Sequence, residues 1–404
     1  MNILYVASKY HGGYEPLGFS HEHLNFFSTL NHLGFNIVHF DMMILTSKYG
    51  RRKANAMLRE VEKSNNFDLM FTCLLTDQLD FKTVEAITER GDCITYNWFC
   101  DDRWRFNSYS CLWAPCFRWV STTDQESLPK YKAIGYENVI KTQWACNQFL
   151  YKKLDLPLKY DVSFVGQIYG DREAIIENLR RQGIKVNTWG QGWPEGKVTQ
   201  EEMNCIFAQS RINLNLSKVY GKLDARVSTV QDRKAIENHL RQAGVEDALR
   251  RCLPSKMRRI INGGSKVVRA LTKSSTKGAD RYYASPAAPS KVPLTDIKAR
   301  TFEVPSCGGF LLTGYAPSLE EYYDLGREIA SYSEDEEIAE LAKFYLDNED
   351  ARAKAALAGY RRTAASHTYV HRFEKIFQTM GLTFPDLDAA LSGSIALGEV
   401  SEIE

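Results

Sequence analysis

The chain has 404 residues, which gives two or three domains at the usual size of about 100–200 residues each. Hydrophobic residues make up 44% of it and aromatic residues 12%, a composition that excludes a globally disordered protein. Lysine and arginine number 51 and aspartate and glutamate 50, so the net charge of +1 excludes a uniformly basic nucleic-acid binder. The 9 cysteines form no Cys-x-x-Cys pair, which favours free thiols in a reducing compartment over disulfides or a zinc site.

The first residues are apolar but follow no basic region, so we expect no signal peptide. No stretch is long and apolar enough to predict a membrane-spanning helix. The sequence therefore predicts a cytoplasmic protein.

Strands alternate with helices over the first 150 residues. We predict strands at 3–7, 36–40, 69–72, 94–98, 119–121 and 139–143, and helices at 20–33, 52–64 and 81–90. Such alternation is typical of a parallel sheet covered by helices, in which ligands bind at the carboxyl ends of the strands. Gly12, Gly13 and the acidic pair Asp101–Asp102 follow predicted strands and are therefore expected at that edge, with Gly12 and Gly13 predicted to bind the donor.

The same pattern restarts after a polar link at 151–159. We predict strands at 161–165, 185–189, 212–216, 302–305 and 310–313, and helices at 172–182, 201–209, 319–325, 335–347 and 349–365. The fold class is therefore α/β, with two Rossmann-like domains that face each other across a cleft. We predict domain boundaries at 1–155 and 156–365, followed by a C-terminal helix and tail at 366–404 that is poorly ordered from Asp386 onwards.

A basic insertion at 218–291 interrupts the second domain. It contains 17 lysine and arginine residues and 6 acidic residues, and two helices are predicted within it near 230–251 and 255–272. Residues 255–281 carry 8 basic side chains with apolar ones between them. Two interpretations remain open: a surface for an anionic membrane or other polyanion, and an ordinary solvated insertion. Nucleic acid is not the expected partner, because aromatic residues for base stacking are sparse there.

Residues 297–313 hold the strongest chemical motif. A basic pair, Lys298 and Arg300, precedes Glu303 and the glycine pair Gly308–Gly309. Glu303 can accept hydrogen bonds from the hydroxyls of a ribose. Arg300 can bind a diphosphate in bidentate fashion, and glycines let backbone N–H groups approach phosphate. The alternative is that Glu303 only pairs with Arg300.

Several segments together resemble the CgeB-like (spore-maturation) branch of the group 1 glycosyltransferases, which have a GT-B fold. The segments are, in order, YDVSFVG (160–166) with YGDR (169–172), WGQGW (189–193), SRINLNLS (210–217), FEVPSCGG (302–309) and HTYVHRF (367–373). The resemblance covers about 155–217 and 292–377 well and the N-terminal half loosely.

The resemblance implies a donor site in the second domain. Group 1 enzymes carry a Glu-x7-Glu pair whose second member binds the nucleotide ribose, and Glu303 occupies that position. The first member falls at Thr295, which is not acidic, so the stereochemical outcome stays open. The resemblance assigns Lys298 and Arg300 to the diphosphate. It also assigns the first and second glycine-containing turns of the donor domain, which include Gly166, Arg172 and Gly190.

The acceptor is expected in the first domain. Asp101 or Asp102 can supply a general base for an acceptor hydroxyl, and His21, just past the Gly12–Gly13 loop, is a further candidate. The alternatives are that one acid caps a turn and the other pairs with Arg103 or Arg105, and that His21 has a capping or surface role. We expect no cofactor and no metal, because the Asp-x-Asp motif of metal-dependent enzymes is absent from this stretch and Lys, Arg and helix N-termini can balance the diphosphate charge.

The resulting prediction is a metal-independent glycosyltransferase. It would move a sugar from a nucleoside-diphosphate sugar to a glycan, lipid-linked or protein acceptor, in the cytoplasm or at the inner face of a membrane. Two alternatives remain: a sugar-nucleotide epimerase of the same fold, and a non-catalytic structural or assembly protein.

Overall fold

A computed structural model describes residues 1–75, 78–168, 170–219 and 294–403. These residues form two compact units. Unit 1 contains residues 1–143 and 376–403 of the described chain, and unit 2 contains residues 144–219 and 294–375. The two helices predicted near 230–251 and 255–272 lie outside the described residues.

Strands and helices alternate in both units. The strands are β1 (Asn2–Val6), β2 (Asn36–Phe40), β3 (Leu69–Thr72), β4 (Ile94–Phe99), β5 (Trp119–Thr122), β6 (Val139–Lys141), β7 (Tyr160–Val165), β8 (Val186–Trp189), β9 (Ser210–Asn215), β10 (Lys218–Val219), β11 (Leu294–Thr295), β12 (Leu311–Gly314), β13 (Ala330–Tyr332) and β14 (Val400–Glu402). The α-helices are α1 (Ser28–His32), α2 (Met42–Tyr49), α3 (Arg51–Ser64), α4 (Phe81–Arg90), α5 (Asp102–Arg105), α6 (Cys111–Trp113), α7 (Leu128–Ala133), α8 (Arg172–Arg181), α9 (Gln200–Gln209), α10 (Arg300–Ser306), α11 (Glu337–Asp347), α12 (Glu349–Ser366), α13 (Tyr369–Thr379) and α14 (Leu387–Ser392). Short 3-10 turns lie at His11–Gly13, Glu15–Leu17, Ala114–Cys116, Gln125–Ser127 and Leu319–Glu321, and π-helical turns at His23–Phe27 and Phe106–Ser110.

Unit 1 is built on a seven-stranded sheet with the order β14-β2-β1-β3-β4-β5-β6, and every neighbouring pair is parallel. Its central strand β1 is buried over four consecutive residues, Ile3 to Val6. A strand covered on both faces has no polar side, which explains why its sequence is an apolar run without alternation. The first strand of the unit therefore lies between the second and the third.

Unit 2 repeats this plan on a smaller, five-stranded sheet. Its order is β13-β12-β9-β7-β8, again with parallel neighbours throughout. Buried residues such as Phe164, Ile212 and Leu312 form its core. Outside this sheet, β10 and β11 pair antiparallel on either side of residues 220–293, so the two ends of that segment leave unit 2 side by side.

The structure corrects the prediction for residues 302–305, which form part of helix α10 rather than a strand. Every residue from Thr301 to Ser306 is buried, so the polar positions do not mark a solvent-facing side. A helix buried all round shows no amphipathic pattern and cannot be recognised by periodicity.

The tail expected to be poorly ordered is also a correction. After α14, strand β14 pairs with β2 from Val400↔Ile37 to Glu402↔His39 and extends the sheet of unit 1. Gly398 lets the tail reach that edge, since a Cβ there would lie 1.8 Å from the carbonyl oxygen of Phe35.

Most other predicted boundaries agree within a few residues, although strand β13 and helix α7 are among the elements that were not predicted. The helix predicted at 319–325 is only a 3-10 turn, Leu319–Glu321. Helix α2 was not predicted, although its signal was present: Asp41 caps it by accepting hydrogen bonds from the backbone N–H groups of Met43 and Ile44.

Candidate donor and acceptor edges

The carboxyl edge of the unit 2 sheet contains a topological switch point. Strand β7 lies in the sheet between β8 on one side and β9 on the other, so the chain leaves β7 towards β8 and returns across β7 to form β9. The loops after β7 and β9 therefore diverge and leave a crevice at their carboxyl ends. Crevices of this kind are where open α/β sheets bind their ligands.

Arg172 lies at this switch point. It is the first residue of α8, and its guanidinium donates hydrogen bonds to the carbonyl oxygens of Gln167 (3.1 Å), after β7, and Leu216 (3.0 Å), after β9. The guanidinium also lies over the ring of Phe164, 5.6 Å from its centroid. Arg172 thus places a fixed positive charge between the two diverging loops.

Two glycine loops adjoin Arg172, and their backbones contact each other directly. The N–H of Gly166 donates to Trp189 O (2.8 Å), and the indole N–H of Trp193 donates back to Gly166 O (2.8 Å). Gly190 has a φ of +130°, and a Cβ at this position would lie 2.3 Å from Gly166 O. Only glycine fits there, so this residue allows the two turns to lie in direct contact.

Arg300 reaches the same edge from the start of α10. Its Nε donates to Val165 O, the last residue of β7, at 3.3 Å, and its guanidinium forms an ion pair with Glu303. Although burial works to lower it, the charge of Glu303 raises the pKa of Arg300 above its ordinary value. The Arg300 side chain remains 31% exposed, so it can contact a ligand as a cation.

Glu303 itself is fully buried, with 0% exposure. One carboxylate oxygen accepts a hydrogen bond from Tyr151 Oη (2.8 Å) and the other binds Arg300. Burial, and then the charge of Glu303, raise the pKa of Tyr151 well above its usual value, so its phenol stays a donor. The geometry thus shows the ion pair between Glu303 and Arg300 that the alternative interpretation of this motif expects. Binding of ribose by Glu303 stays a prediction, and Tyr151 is the partner that sequence motifs did not indicate.

The remaining predicted donor residues divide into two groups. Lys298 lies beside Arg300 at the carboxyl edge, and its ammonium is 3.4 Å from Asp296. Gly308 and Gly309 follow α10 and precede the amino end of β12, so in a parallel sheet they lie at the opposite edge from Gly166 and Gly190. They end the helix and admit the close approach of Asn213 and Phe207 O, which a Cβ on Gly309 would meet at 2.6 and 2.8 Å.

Unit 1 has a switch point of its own, between β1 and β3. The loop after β1 contains the 3-10 turn His11–Gly13, in which Gly12 (φ +61°) and Gly13 (φ +72°) are left-handed. Asp41 ties down the start of this loop by accepting a hydrogen bond from the N–H of Lys9 (2.8 Å). At the start of the next helical segment, Asn25 Nδ2 lies 3.1 Å from His21 Nδ1.

The acidic pair lies at the carboxyl end of β4, and its members differ. Asp102 is 1% exposed and accepts a hydrogen bond from Tyr131 Oη (2.6 Å), and burial raises its pKa. Asp101 is partly exposed and, among the described residues, its carboxylate forms no hydrogen bond or ion pair. Neither acid pairs with Arg103 or Arg105 in the described chain. Asp101 is therefore the better placed of the two to act on a substrate.

Comparison with known proteins gives a family match that lies mainly in unit 2. A family model described as "Glycosyl transferase-like" matches residues 172–235 and 275–378. Over these residues, unit 2 is similar to glycosyl transferase-like domains. A curated relative, "Spore protein CgeB" of Bacillus subtilis (strain 168), is 21% identical over 372 residues, 91% of this chain and 95% of its own length.

Solved structures extend the likeness in fold to both units. Sucrose-phosphate synthase from Thermosynechococcus elongatus has a TM-score of 0.55 at 7% identity and covers 94% of this chain and 98% of its own. Anabaena HepE, solved in complex with UDP and glucose, has a TM-score of 0.51 at 11% identity and covers 94% and 99%. The predicted CgeB-like resemblance and the GT-B fold are confirmed, and with them the prediction of a glycosyltransferase at the level of family and fold.

No helix of the described residues combines the length and the apolar character needed to cross a membrane. Within the same residues, no group of three or more His, Cys, Asp or Glu side chains is arranged to hold a metal ion. The absence of a metal requirement stays a prediction.

Proposed function

We propose that this protein transfers a sugar from a nucleoside-diphosphate sugar to an acceptor hydroxyl. The observation that carries the proposal is the placement of Arg172, whose guanidinium joins the loops after β7 and β9 at the switch point of unit 2. A cation fixed there can bind a diphosphate. The neighbouring loops have glycine at positions 166 and 190, where no side chain keeps a phosphate from the backbone. Anabaena HepE, of similar fold, is solved in complex with UDP-glucose, which supports a uridine-diphosphate sugar as the first donor to test.

The basic residues of this edge would act on the leaving group. As the acceptor oxygen attacks the anomeric carbon, the bond from that carbon to the diphosphate oxygen breaks, and the nucleoside diphosphate leaves with the extra negative charge. Arg172, Arg300 and Lys298 would stabilise that charge without reorganisation, because Arg172 and Arg300 are already fixed to backbone carbonyls. Glu303 and Tyr151 would keep Arg300 in place.

A base must accept the proton of the acceptor hydroxyl. Asp101 is proposed for this role because its carboxylate is uncommitted among the described residues, whereas Asp102 is buried against Tyr131. Asp101→Asn should lower the transfer rate by roughly 100-fold or more while donor binding is retained. The control is Asp102→Asn, which should change stability more than rate. Equal, near-normal rates in both variants would move the role to His21.

Membrane association is proposed for the basic segment 255–281. Its 8 basic residues and the apolar ones between them suit an anionic bilayer, and the family match leaves out 236–274, so most of this segment is an addition to the family pattern. Each basic residue near an anionic surface contributes about 1 kcal/mol. Deleting 255–281 should abolish co-sedimentation with phosphatidylserine-containing vesicles at low salt and leave nucleotide affinity unchanged. If the intact protein ignores such vesicles, the acceptor is to be sought in solution.

A non-catalytic assembly role is the second candidate, because the relative at 21% identity is named as a spore protein. Incubation with a panel of radiolabelled sugar nucleotides, with and without EDTA, separates the candidates. Release of a nucleoside diphosphate that persists in EDTA supports a metal-independent transferase, and an altered sugar on an intact nucleotide supports an epimerase. If the protein neither binds nor turns over any of the donors, both enzymatic proposals are contradicted.

A further inference from the structure

A cluster of charged side chains lies at the carboxyl ends of β4 and β5 in unit 1. These strands are parallel neighbours, with Phe99 opposite Thr122, so the segments that follow them lie side by side. Arg103 is the second residue of α5 after β4, Asp124 follows β5, and Lys130 projects from α7. The cluster is separate from the basic residues of unit 2.

The two cations approach Asp124 too loosely to hydrogen-bond it. Arg103 Nη1 lies 3.9 Å from one carboxylate oxygen of Asp124 and Lys130 Nζ lies 3.9 Å from the other. That second oxygen is already taken by Ser127 Oγ at 2.6 Å, and Lys130 donates to the same hydroxyl at 3.2 Å. By contrast, the ion pair Lys9–Glu402, also in unit 1, has an N···O distance of 2.6 Å, which is short enough for a hydrogen bond.

Arg103 is therefore a mostly buried cation whose donors are uncommitted. Its side chain is only 16% exposed, and its Nε is buried without a hydrogen-bond partner. Among the described residues, none of its N–H groups donates a hydrogen bond. Buried polar groups left without a partner are costly, and those of a charged group more so, so a site of this kind calls for an acceptor from outside the chain.

The neighbouring charges leave room for a negative ligand. The carboxylate of Asp102 faces Tyr131, whose hydroxyl donates a hydrogen bond to it at 2.6 Å. Arg105 adds a further cation, although its Nη2 is bound to Leu75 O at 2.6 Å. Asp101 is the remaining carboxylate on this segment, two residues before Arg103, and as the proposed base it belongs next to an acceptor hydroxyl.

We propose that Arg103 and Lys130 bind an oxyanion carried by the acceptor, a phosphate or a sugar carboxylate. The planar fork of an arginine matches both groups, and the lysine adds a point charge beside it. This inference rests on the proposed function, since it assumes that unit 1 receives the acceptor, and it narrows the acceptor to an anionic glycan or phosphate-bearing carrier.

The test is a calorimetric titration of inorganic phosphate and of glucuronate into the full-length protein saturated with UDP, which occupies the donor site. Arg103→Gln and Lys130→Gln should each weaken binding of the preferred anion about tenfold or more, the effect of losing a charged hydrogen bond. The control is Lys132→Gln, an exposed lysine on the same helix, which should bind as the wild type does. Arg103→Lys keeps the charge and should retain part of the affinity, and it covers the case in which Arg103→Gln fails to fold.

Preference for phosphate indicates a phosphate-bearing acceptor, and preference for glucuronate a uronic acid. The proposal is overturned if neither anion binds the wild type, or if Arg103→Gln and Lys130→Gln bind as tightly as Lys132→Gln. If no nucleoside diphosphate binds, the proposed transferase function fails, but the difference between wild type and Lys130→Gln still decides whether the oxyanion site exists.

Discussion

In unit 1, β1 lies between β2 and β3, and in unit 2, β7 lies between β8 and β9. The two sheets thus place a switch point in the same topological position, and the polar side chains that follow their strands are nevertheless of different kinds. At the unit 2 edge, Arg172 and Arg300 are fixed to backbone carbonyls. At the unit 1 edge, the thiols of Cys73 and Cys100 lie 4.0 Å apart after β3 and β4.

Burial keeps much of the unit 1 edge uncharged. The contact with Cys73, together with burial, raises the pKa of the Cys100 thiol well above its ordinary value. Burial lowers the pKa of His23 to about 4, so its ring is neutral at pH 7. The comparison teaches that topology sets where a ligand binds. The burial and pairing of a few side chains set which ligand charge that place can bind. Unit 2 suits a diphosphate, and unit 1 suits a neutral hydroxyl with one local anion site.

The largest expected effect separates the glycine loops of the two units. Gly190→Ala should cost about 4 kcal/mol or more in unfolding free energy, because its Cβ meets the backbone carbonyl of Gly166 at 2.3 Å and no side chain can yield. Gly12→Ala in unit 1 faces open space and should cost only about 1–2 kcal/mol for its left-handed backbone. Urea unfolding of both variants measures the difference, and similar costs would show that the two turns of unit 2 are not pressed together.

The second effect separates the two buried carboxylates. Glu303→Ala leaves Arg300 without its counter-charge and should destabilise the protein by about 3–5 kcal/mol. Asp102→Ala removes a carboxylate that accepts a hydrogen bond from the neutral Tyr131 hydroxyl and should cost about 1–3 kcal/mol. Glu303→Gln, which keeps the volume and one acceptor, is the control and should fall between wild type and Glu303→Ala. A fully stable Glu303→Ala variant that binds UDP poorly would restore the ribose role.

The third effect is smaller and concerns pH. Burial lowers the pKa of His23 to about 4 and that of His367 to about 3, from an unfolded value of 6.5. Between these values the unfolded state binds more protons, so each histidine contributes stability that is full above pH 6.5 and declines as the pH falls towards the folded pKa. At pH 5 the loss is up to about 2 kcal/mol per histidine.

His23→Phe, which keeps the stack with Phe19 and Phe27, and His367→Gln should each reduce the drop in unfolding free energy between pH 7 and pH 5. The exposed His11 provides the control variant, His11→Gln, whose pH dependence should match that of the wild type. An unchanged pH dependence in all three would mean that neither buried ring titrates differently on unfolding.

Sequence pattern predicted the parallel sheets well because most strands are short apolar runs between clear glycine and polar boundaries. It predicted β3 and α4 with the observed bounds. It failed at α10, where a helix buried on all sides has no period, and at β14, where three exposed residues are held by pairing with β2. Local signals carry neither kind of information.

The candidate site was predictable to a similar degree. Residue types indicated Arg300 and Glu303, and the family resemblance indicated Arg172. They could not show that Glu303 is buried against Tyr151, which lies 152 residues away in the sequence. Nor could they show that Arg103, named only as a partner for the acidic pair, donates no hydrogen bond among the described residues and approaches Asp124 only to 3.9 Å.

The central claim is that the switch point of unit 2 binds a nucleoside diphosphate through Arg172. Calorimetric titration of UDP into the wild type, Arg172→Ala and Arg181→Ala tests it most directly, since Arg172 and Arg181 begin and end the same helix and Arg181 is exposed. We predict measurable binding to the wild type, an unchanged dissociation constant for Arg181→Ala, and a roughly 10- to 100-fold weaker one for Arg172→Ala, the effect of losing hydrogen bonds to a charged group. Equal affinity of all three proteins for UDP, or for whichever other nucleoside diphosphate binds, would contradict the claim.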